Sequence, residues 1–259
     1  MAPGEGSLFR FTADLHVHTA LSPCAEAEMT PLNIVGLCLE NEVDIIAVTD
    51  HNSGENVRAV TEFAAGSGVT VWPGMEVQTR EEVHLVTLFD NLAALEDWQE
   101  HVYARLPDRP NRPELFGEQL LFDGTGAVVG ACPRLLLTSV DLSVSDVRRE
   151  AERRGFVCYP AHIDRPAYSY LANLGFLPPS EEFAVLEISS ITSPAEVVRK
   201  LPQLRGRTLV ASSDAHRLAE LGRAGTVLRL AAPTLSEFRK AIAGRGGRRV
   251  SLLSESGGM

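Results

Sequence analysis

The stretch DIIAVTDHN, residues 44–52, decides how the rest of the chain is read. Residues 45–48 are an apolar run without polar alternation, which marks a strand buried on both faces. The run ends in Thr49, Asp50 and His51, so polar side chains gather where the strand stops. Upstream, DLHVHT (14–19) has the same form and closes on His16 and His18. Downstream, VTVWPGMEV (69–77), VHLVTLF (83–89), FVCYPAHI (156–163), FAVLEIS (183–189), TLVASSDAH (208–216) and GTVLRL (225–230) also read as strands.

Helical segments separate them. TPLNIVGLCLENE (30–42) has Thr30 as N-cap and Pro31 in the first helical position. ENVRAVTEFAAGSG (55–68) is closed by Gly66 and Gly68, and SVSDVRREAERRG (143–155) by Gly155. LAALEDWQEHVYARL (92–106) has apolar residues at helical spacing. This alternation predicts an α/β fold with a mainly parallel sheet, either a barrel or doubly wound. Residues 107–140 break the rhythm with a Pro-rich start and a hairpin signal, FDGTGAVV (122–129). They read as a small insertion over one face of a single domain spanning 1–259. SESGGM (254–259) reads as a loose tail.

Composition sets the class. The chain has 259 residues, 44 % hydrophobic and 22 % charged, which is ordinary for a soluble globular protein. No apolar run is long enough to span a membrane, and no signal peptide is visible. Cys24, Cys38, Cys132 and Cys158 form no CxxC pair, so a disulfide framework is not expected and a cytoplasmic protein is. A net charge of −10 argues against binding duplex nucleic acid. It leaves room for a small anionic substrate, because a metal supplies local positive charge.

Six of the seven histidines lie in strand-like segments: His16, His18, His51, His84, His162 and His216. In a parallel barrel the carboxyl ends of the strands meet on one face, so distant residues converge there. Residues i and i+2 of a strand point to one side, which lets His16 and His18 grip one ion. Asp214 and His216 repeat that spacing, and Glu76 is a carboxylate able to bridge two ions. Imidazoles and carboxylates suit zinc, manganese or iron. A single such histidine is most simply a hydrogen-bonded core residue, but burying six without a metal demands many compensating partners. His101, in a helix of mixed charge, reads as solvent-exposed. Cys38 and Cys158 read as core residues.

Taken in order, DLHVHT, DIIAVTDHN, GMEV, PAHID and SSDAH resemble the polymerase-and-histidinol-phosphatase (PHP) domain family. The resemblance implies a distorted (β/α)7 TIM-like barrel and two or three divalent ions, zinc, manganese or iron. It implies hydrolysis of phosphate esters by a metal-activated hydroxide. By motif, His16, His18, Glu76 and Asp214 would hold the first ion. Glu76 would bridge to a second, held by His84 and His162, and His51 and His216 would hold a third. Asp14 and Asp50 would orient neighbouring histidines. Glu76, His51, His216 and Asp214 would form the catalytic set. Arg165 and Arg217, just beyond two of the motifs, would grip phosphate as guanidinium forks. The family's loop Asp is replaced here by Pro23, so Glu26 or Glu28 would have to complete the third site. Cys24 is a zinc-ligand type in the same loop but reads as structural.

The expected function is a metal-dependent phosphoesterase acting on a small phosphorylated molecule, a phosphomonoester or nucleotide. Two other classes compete. A single-stranded nucleic-acid exonuclease would use RKAIAGRGGRR (239–249) as a basic track, although that stretch is more simply a helix end and a solvated loop. A non-catalytic metal-binding regulatory module is disfavoured by the near-complete ligand set.

Overall fold

Residues Ile45–Val48 form a strand whose four side chains are all buried, as an apolar run without alternation requires. The structure is a computed structural model, and it describes residues 7–179, 182–189, 193–222 and 225–253. The sequence-stretch 254–259, read above as a loose tail, lies outside the described residues. In chain order the strands are β1 (Phe9–Val17), β2 (Ile45–Val48), β3 (Thr70–Gln78), β4 (His84–Leu88), β5 (Leu120–Phe122), β6 (Val128–Ala131), β7 (Val157–Pro160), β8 (Val185–Ser189), β9 (Thr208–Ser212), β10 (Thr226–Leu230) and β11 (Arg249–Leu252). The helices are α1 (Pro31–Glu40), α2 (Val57–Phe63), α3 (Leu92–Tyr103), α4 (Pro113–Phe116), α5 (Val144–Arg154), α6 (Tyr170–Leu174), α7 (Pro194–Lys200) and α8 (Leu235–Ile242).

Local chemistry explains the helix starts. Thr30 accepts a hydrogen bond from the Asn33 amide, and Pro31 occupies the first turn of α1. Ser143 and Asp146 form a capping box on α5, which ends at Gly155 in the left-handed conformation. Helix α2 ends earlier than expected, at Phe63, ahead of Gly66 and Gly68. Among the described residues no helix is long and apolar enough to cross a membrane.

A curled seven-stranded sheet runs β11-β10-β1-β2-β3-β4-β7. It is mixed, which corrects the expectation of a mainly parallel sheet. Strands β1, β2 and β3 pair in parallel, but β4 is antiparallel to both β3 and β7, and β10 is antiparallel to β1 and β11. The reason is the connection: the few residues between β3 and β4 make a hairpin and are too short for a parallel crossover. Strand β11 was not anticipated, because RKAIAGRGGRR hides its first residue in a basic loop.

Strands β8 and β9 form a separate parallel pair. They connect to the main sheet sparingly. Ile163, just past β7, donates to the Glu187 carbonyl at 2.8 Å, and His18 donates to the Ala215 carbonyl at 3.1 Å. The ring of a (β/α)7 barrel is therefore not closed by a continuous ladder. Apolar side chains flank the sheet on both sides. Ile46, Val48, Met75, Val77 and Leu85 pack with Ile34, Val60 and Trp98 from the helices. Leu15, Ala47, Trp72, Tyr159 and Leu228 form a second cluster with Phe238 of α8.

The β1–β2 ladder pairs Asp14 with Ile46 and Val17 with Val48, so three steps on β1 match two on β2. This bulge re-aims the side chains just before the strand ends. Residues 107–140 form α4 and the β5–β6 hairpin and lie against the loop after β1. Leu120 donates to the Ala20 carbonyl at 2.8 Å, and Asn56 donates to the Leu120 carbonyl at 2.9 Å. At Gly117, φ is 99°, and a Cβ there would lie 2.1 Å from the Pro23 carbonyl oxygen. Gly117→Ala should therefore lower stability by about 1–3 kcal/mol. Urea unfolding measures this, and an unchanged midpoint would show that the contact between segment and loop is loose.

Candidate metal centre

The polar residues of the sequence motifs converge at one end of the sheet. His16 is near the end of β1 and His18 just past it; His51 follows β2, and Glu76 is within β3. His84 opens β4 instead of ending it. Because β4 runs antiparallel to β3, its amino end lies at the carboxyl end of β3, with His84 paired to Gln78. His162 follows β7, and Asp214 and His216 follow β9. Asn52, His162 and Asp214 adopt left-handed φ values of 50°, 29° and 51°. Asn, Asp and His tolerate that region best, so the strand ends can turn sharply there.

Glu76 is fully buried at the centre. Its Oε1 lies 2.8 Å from His84 Nδ1, 3.2 Å from His162 Nε2 and 3.3 Å from His16 Nε2. Its Oε2 lies 2.9 Å from His51 Nδ1 and 3.4 Å from His18 Nε2. Asp214 Oδ1 is 3.0 Å from His18 Nε2 and 3.2 Å from His16 Nε2. Among the described residues three groups have donor atoms close enough to share an ion: His16, His18, Glu76 and Asp214; His51, Glu76 and His84; and His18, His51 and His216. His162 is in none of these groups and reaches the centre through Glu76 Oε1.

The donor atoms suit cations. His16 Nδ1 donates to the Glu187 carboxylate at 3.0 Å, which leaves its Nε2 lone pair facing the centre. Ser22 Oγ donates to Asp50 at 2.7 Å, so it must accept from His18 Nδ1 at 2.8 Å. The lone pair of His18 Nε2 therefore faces the centre too, 3.1 Å from His16 Nε2. Two imidazole lone pairs so placed repel unless a cation or proton lies between them. Two buried atoms at the site, His84 Nε2 and His162 Nδ1, have no hydrogen-bond partner, and His51 Nδ1 and Glu76 Oε2, although 2.9 Å apart, are not aligned to bond. Unpaired polar atoms at that density are costly unless something binds them. The residues fit divalent metal ions.

The electrostatics tell the same story with protons in the cations' place. Burial opposes charge on Glu76, but His84, His16 and His51 outweigh it and hold the carboxyl well below its usual range. Burial also opposes charge on His16, yet Glu187, Asp214 and Glu76 hold its imidazole well above the ordinary value. His51 is likewise held high by Cys24 and Glu76 against burial. His18 is pushed well below by burial and His216, and His84 is pushed down to about 4 by burial. Neighbouring rings cannot all carry a proton, so some are charged and others neutral.

The surrounding groups fix these rings. Asp50 acts on His18 through Ser22, and also accepts from the Thr19 amide at 2.8 Å and hydroxyl at 2.7 Å. Asp14, expected to orient a histidine, instead accepts from the Ser213 amide at 2.9 Å and so holds the loop that carries Asp214. The group that orients His16 is Glu187, which also accepts from the His162 amide at 3.1 Å. The sequence reading missed Glu187. Its signal was a lone carboxylate inside the apolar run VLEIS.

Other expected residues diverge. Arg165 lines the cavity, and its guanidinium is 2.5 Å from Asp214 Oδ2. Arg217 is not brought to the cavity: its side chain is 65 % exposed and reaches Glu26 at 3.5 Å. Neither Glu26 nor Glu28 lines the cavity either, whereas Cys24 does. His101 is partly buried, stacked on Trp98 at 5.2 Å, and is not free in solvent. The cavity above the histidines encloses about 590 Å³; Phe116, Leu137, Pro166, Ala167 and Tyr168 form its apolar wall. All four cysteines are free.

Comparison with known proteins agrees with the geometry. The family model described as PHP domain matches residues 14–153, and one described as PHP-associated matches residues 195–245. Among curated proteins no sequence matches the chain. A lesion-specific endonuclease from Pyrococcus furiosus superposes with a TM-score of 0.66 at 19 % identity, covering 93 % of this chain and 58 % of that one. A structure of Endonuclease Q in complex with a 27-mer duplex substrate carrying an abasic lesion gives the same values. The chain thus spans just over half the length of these endonucleases. A two-domain protein from Bacteroides vulgatus containing a predicted PHP-like metal-dependent phosphoesterase gives a TM-score of 0.58 at 15 % identity, covering 97 % of this chain and 67 % of that one. At these identities the likeness is one of fold.

The exclusion of duplex nucleic acid is overturned, since this fold occurs in complex with a duplex. Net charge failed as a guide because it is summed over the whole surface, whereas phosphates are met locally. Two outcomes follow from the geometry. Glu187→Gln should weaken zinc binding by about 10–100-fold with the fold intact by circular dichroism. Unchanged zinc affinity in that variant would show that Glu187 does not orient His16. Metal binds imidazole only after the proton leaves, and His16 and His51 keep theirs above the ordinary 6.5. Zinc affinity should therefore rise between pH 6 and 8, by about tenfold per pH unit for each displaced proton. A flat titration series would contradict this.

Proposed function

The chain belongs to the PHP domain family of metal-dependent phosphoesterases, and from that premise we propose that it hydrolyses the phosphate ester of a small organic molecule. The observation that carries this reading is Glu76, a buried carboxylate reached by five imidazoles at the floor of an open cavity. His16, His18, Glu76 and Asp214 would hold one ion. Glu76 would share a second with His84, His162 and His51, and His216 would join His18 and His51 at a third. The donor set suits two or three ions of zinc, manganese or iron. Bound there, such ions lower the pKa of water and neutralise phosphoryl oxygens.

The chain's own groups do the rest. Arg165 supplies a guanidinium beside Asp214, where it would pair with phosphoryl oxygens in a fork. Glu187 and Ser22 keep the imidazoles of His16 and His18 in the tautomer that offers Nε2. His216 donates Nδ1–H to the Asp214 carbonyl at 2.9 Å, which leaves its Nε2 for an ion or for the proton of the leaving oxygen. Phe116, Leu137 and Tyr168 would exclude water and hold the organic part. A cavity of about 590 Å³ is in the range of small-molecule sites. We read residues 1–259 as one domain, with 107–140 added to form part of this wall, and place it in the cytoplasm on the evidence of its four free thiols.

A second reading rests on the fold shared with a lesion-specific endonuclease over 93 % of this chain. A cavity of about 590 Å³ is far too small for a duplex, so on this reading a target nucleotide would leave the duplex to reach the floor. One panel separates the readings: p-nitrophenyl phosphate, nucleoside monophosphates, a single-stranded oligonucleotide and a duplex with an abasic site, each with metal-loaded protein. Turnover of the small esters is expected, and Glu76→Gln should lower kcat on the order of a thousandfold. Cleavage of the lesion duplex alone would favour the second reading. Full metal with no turnover of any of them would reduce the protein to a binding module.

A further inference from the structure

Tyr168 holds its ring where the fold gains little from it. The residue is 47 % exposed, and it lines the cavity above the histidines. Its backbone has a φ of 55°, in the left-handed region that a bulky aromatic residue rarely enters. Glycine or asparagine would sit there with less strain, so a large side chain is kept against the local preference of the backbone. Strain held in place by the surrounding structure points to a use for that side chain.

The loop is fixed from both ends. The His84 amide donates to the Tyr168 carbonyl at 3.0 Å, the Ser169 hydroxyl to the Arg165 carbonyl at 2.7 Å, and the Arg165 amide to the His162 carbonyl at 2.9 Å. The Tyr168 ring lies on the imidazole of His84, with centroids 5.0 Å apart and planes 28° from parallel. His84 thus covers one face of the ring and holds it as a rigid platform beside the cavity. His84 in turn reaches Glu76 Oε1 at 2.8 Å, so the platform stands one ring away from the floor. Arg165, three residues earlier in the same loop, lies beside Asp214, and its buried Nε has no hydrogen-bond partner. One short loop therefore offers a guanidinium for phosphate and an aromatic face for whatever the phosphate is attached to. Phe116 and Leu137 line the same cavity.

We propose that Tyr168 is a specificity-determining residue whose other ring face stacks on a flat aromatic ring of the substrate, an inference that rests on the phosphoesterase reading above. The protein then prefers phosphate monoesters in which an aromatic ring lies within one sugar's length of phosphorus, such as nucleoside monophosphates. Esters of aliphatic alcohols and of bare sugars are disfavoured, because they meet a tyrosine face with less contact and no matching π-system. Stacking alone does not distinguish one base from another, so flatness sets the class and not a particular base.

Adenosine 5′-monophosphate and ribose 5-phosphate test this on the whole metal-loaded protein. They share the phosphate, the sugar and the leaving oxygen, and they differ in the base. Wild type should give a kcat/KM for the nucleotide about tenfold or more above that for the sugar phosphate. Tyr168→Leu should bring the two values to within about twofold of each other, whereas Tyr168→Phe, which keeps the ring, should retain the wild-type ratio. A ring that merely braced His84 would lower both esters alike in Tyr168→Leu and leave their ratio where it was. Equal kcat/KM values in wild type, or a ratio that Tyr168→Leu leaves unchanged, overturn the proposal and spare the phosphoesterase reading. Turnover of neither ester by fully loaded protein overturns both.

Discussion

One carboxylate, that of Glu76, sets the conditions the rest of the centre must meet. It has no exposure to water, and five imidazole nitrogens approach it within 3.4 Å. A buried anion requires positive charge nearby, and imidazoles provide it only by holding protons or by presenting lone pairs to a cation. The first option is limited, because adjacent imidazolium rings repel one another, as His18 and His216 do. The surrounding architecture keeps those rings where the second option works. Glu187 and Ser22 orient two of them, Asn52 ties the strand end to residues 107–140 by donating to the Leu136 and Thr138 carbonyls at 2.8 Å, and Asp14 holds the loop that carries Asp214.

Much of this was legible in the sequence where the cause is local. A run such as IIAV, short and closed by polar residues, reads as a doubly buried strand, and His16 and His18 share a side because strand geometry repeats every second residue. Thr30 announced its helix because an N-cap acts within three residues of itself. What was not legible depends on partners far along the chain. The direction of β4 follows from a short hairpin, and it turned a histidine at a strand's beginning into one at the common face. Glu187 looked like one more residue of a core strand until β8 stood beside His16. Arg217 sits next to a motif, yet its direction is set by Glu26. The charge total misled for a related reason: it carries no information about where on the surface the charges lie.

The segment that interrupts the βα rhythm has a defined place beside the centre. It is hydrogen-bonded to the loop after β1 and to Asn56, and it contributes Phe116 and Leu137 to the cavity wall. Metal chemistry and substrate shape are therefore supplied by different parts of the chain. The floor comes from strand ends that the family motifs mark. Part of the wall comes from residues with no motif at all, so the wall can vary while the floor stays fixed.

His16 is joined to Glu187 across 171 residues, and His18 to Asp214 across 196. Contacts of such separation form late in folding, because closing long loops costs entropy before any bond repays it. A chain emerging from the ribosome exposes His16, His18 and His51 long before Asp214 and His216 exist. The growing polypeptide thus passes through a stage in which it offers these imidazoles and Glu76 without Asp214 and without Glu187, which orients His16. The ligand set and the groups that orient it are complete only when the last third of the chain has been made.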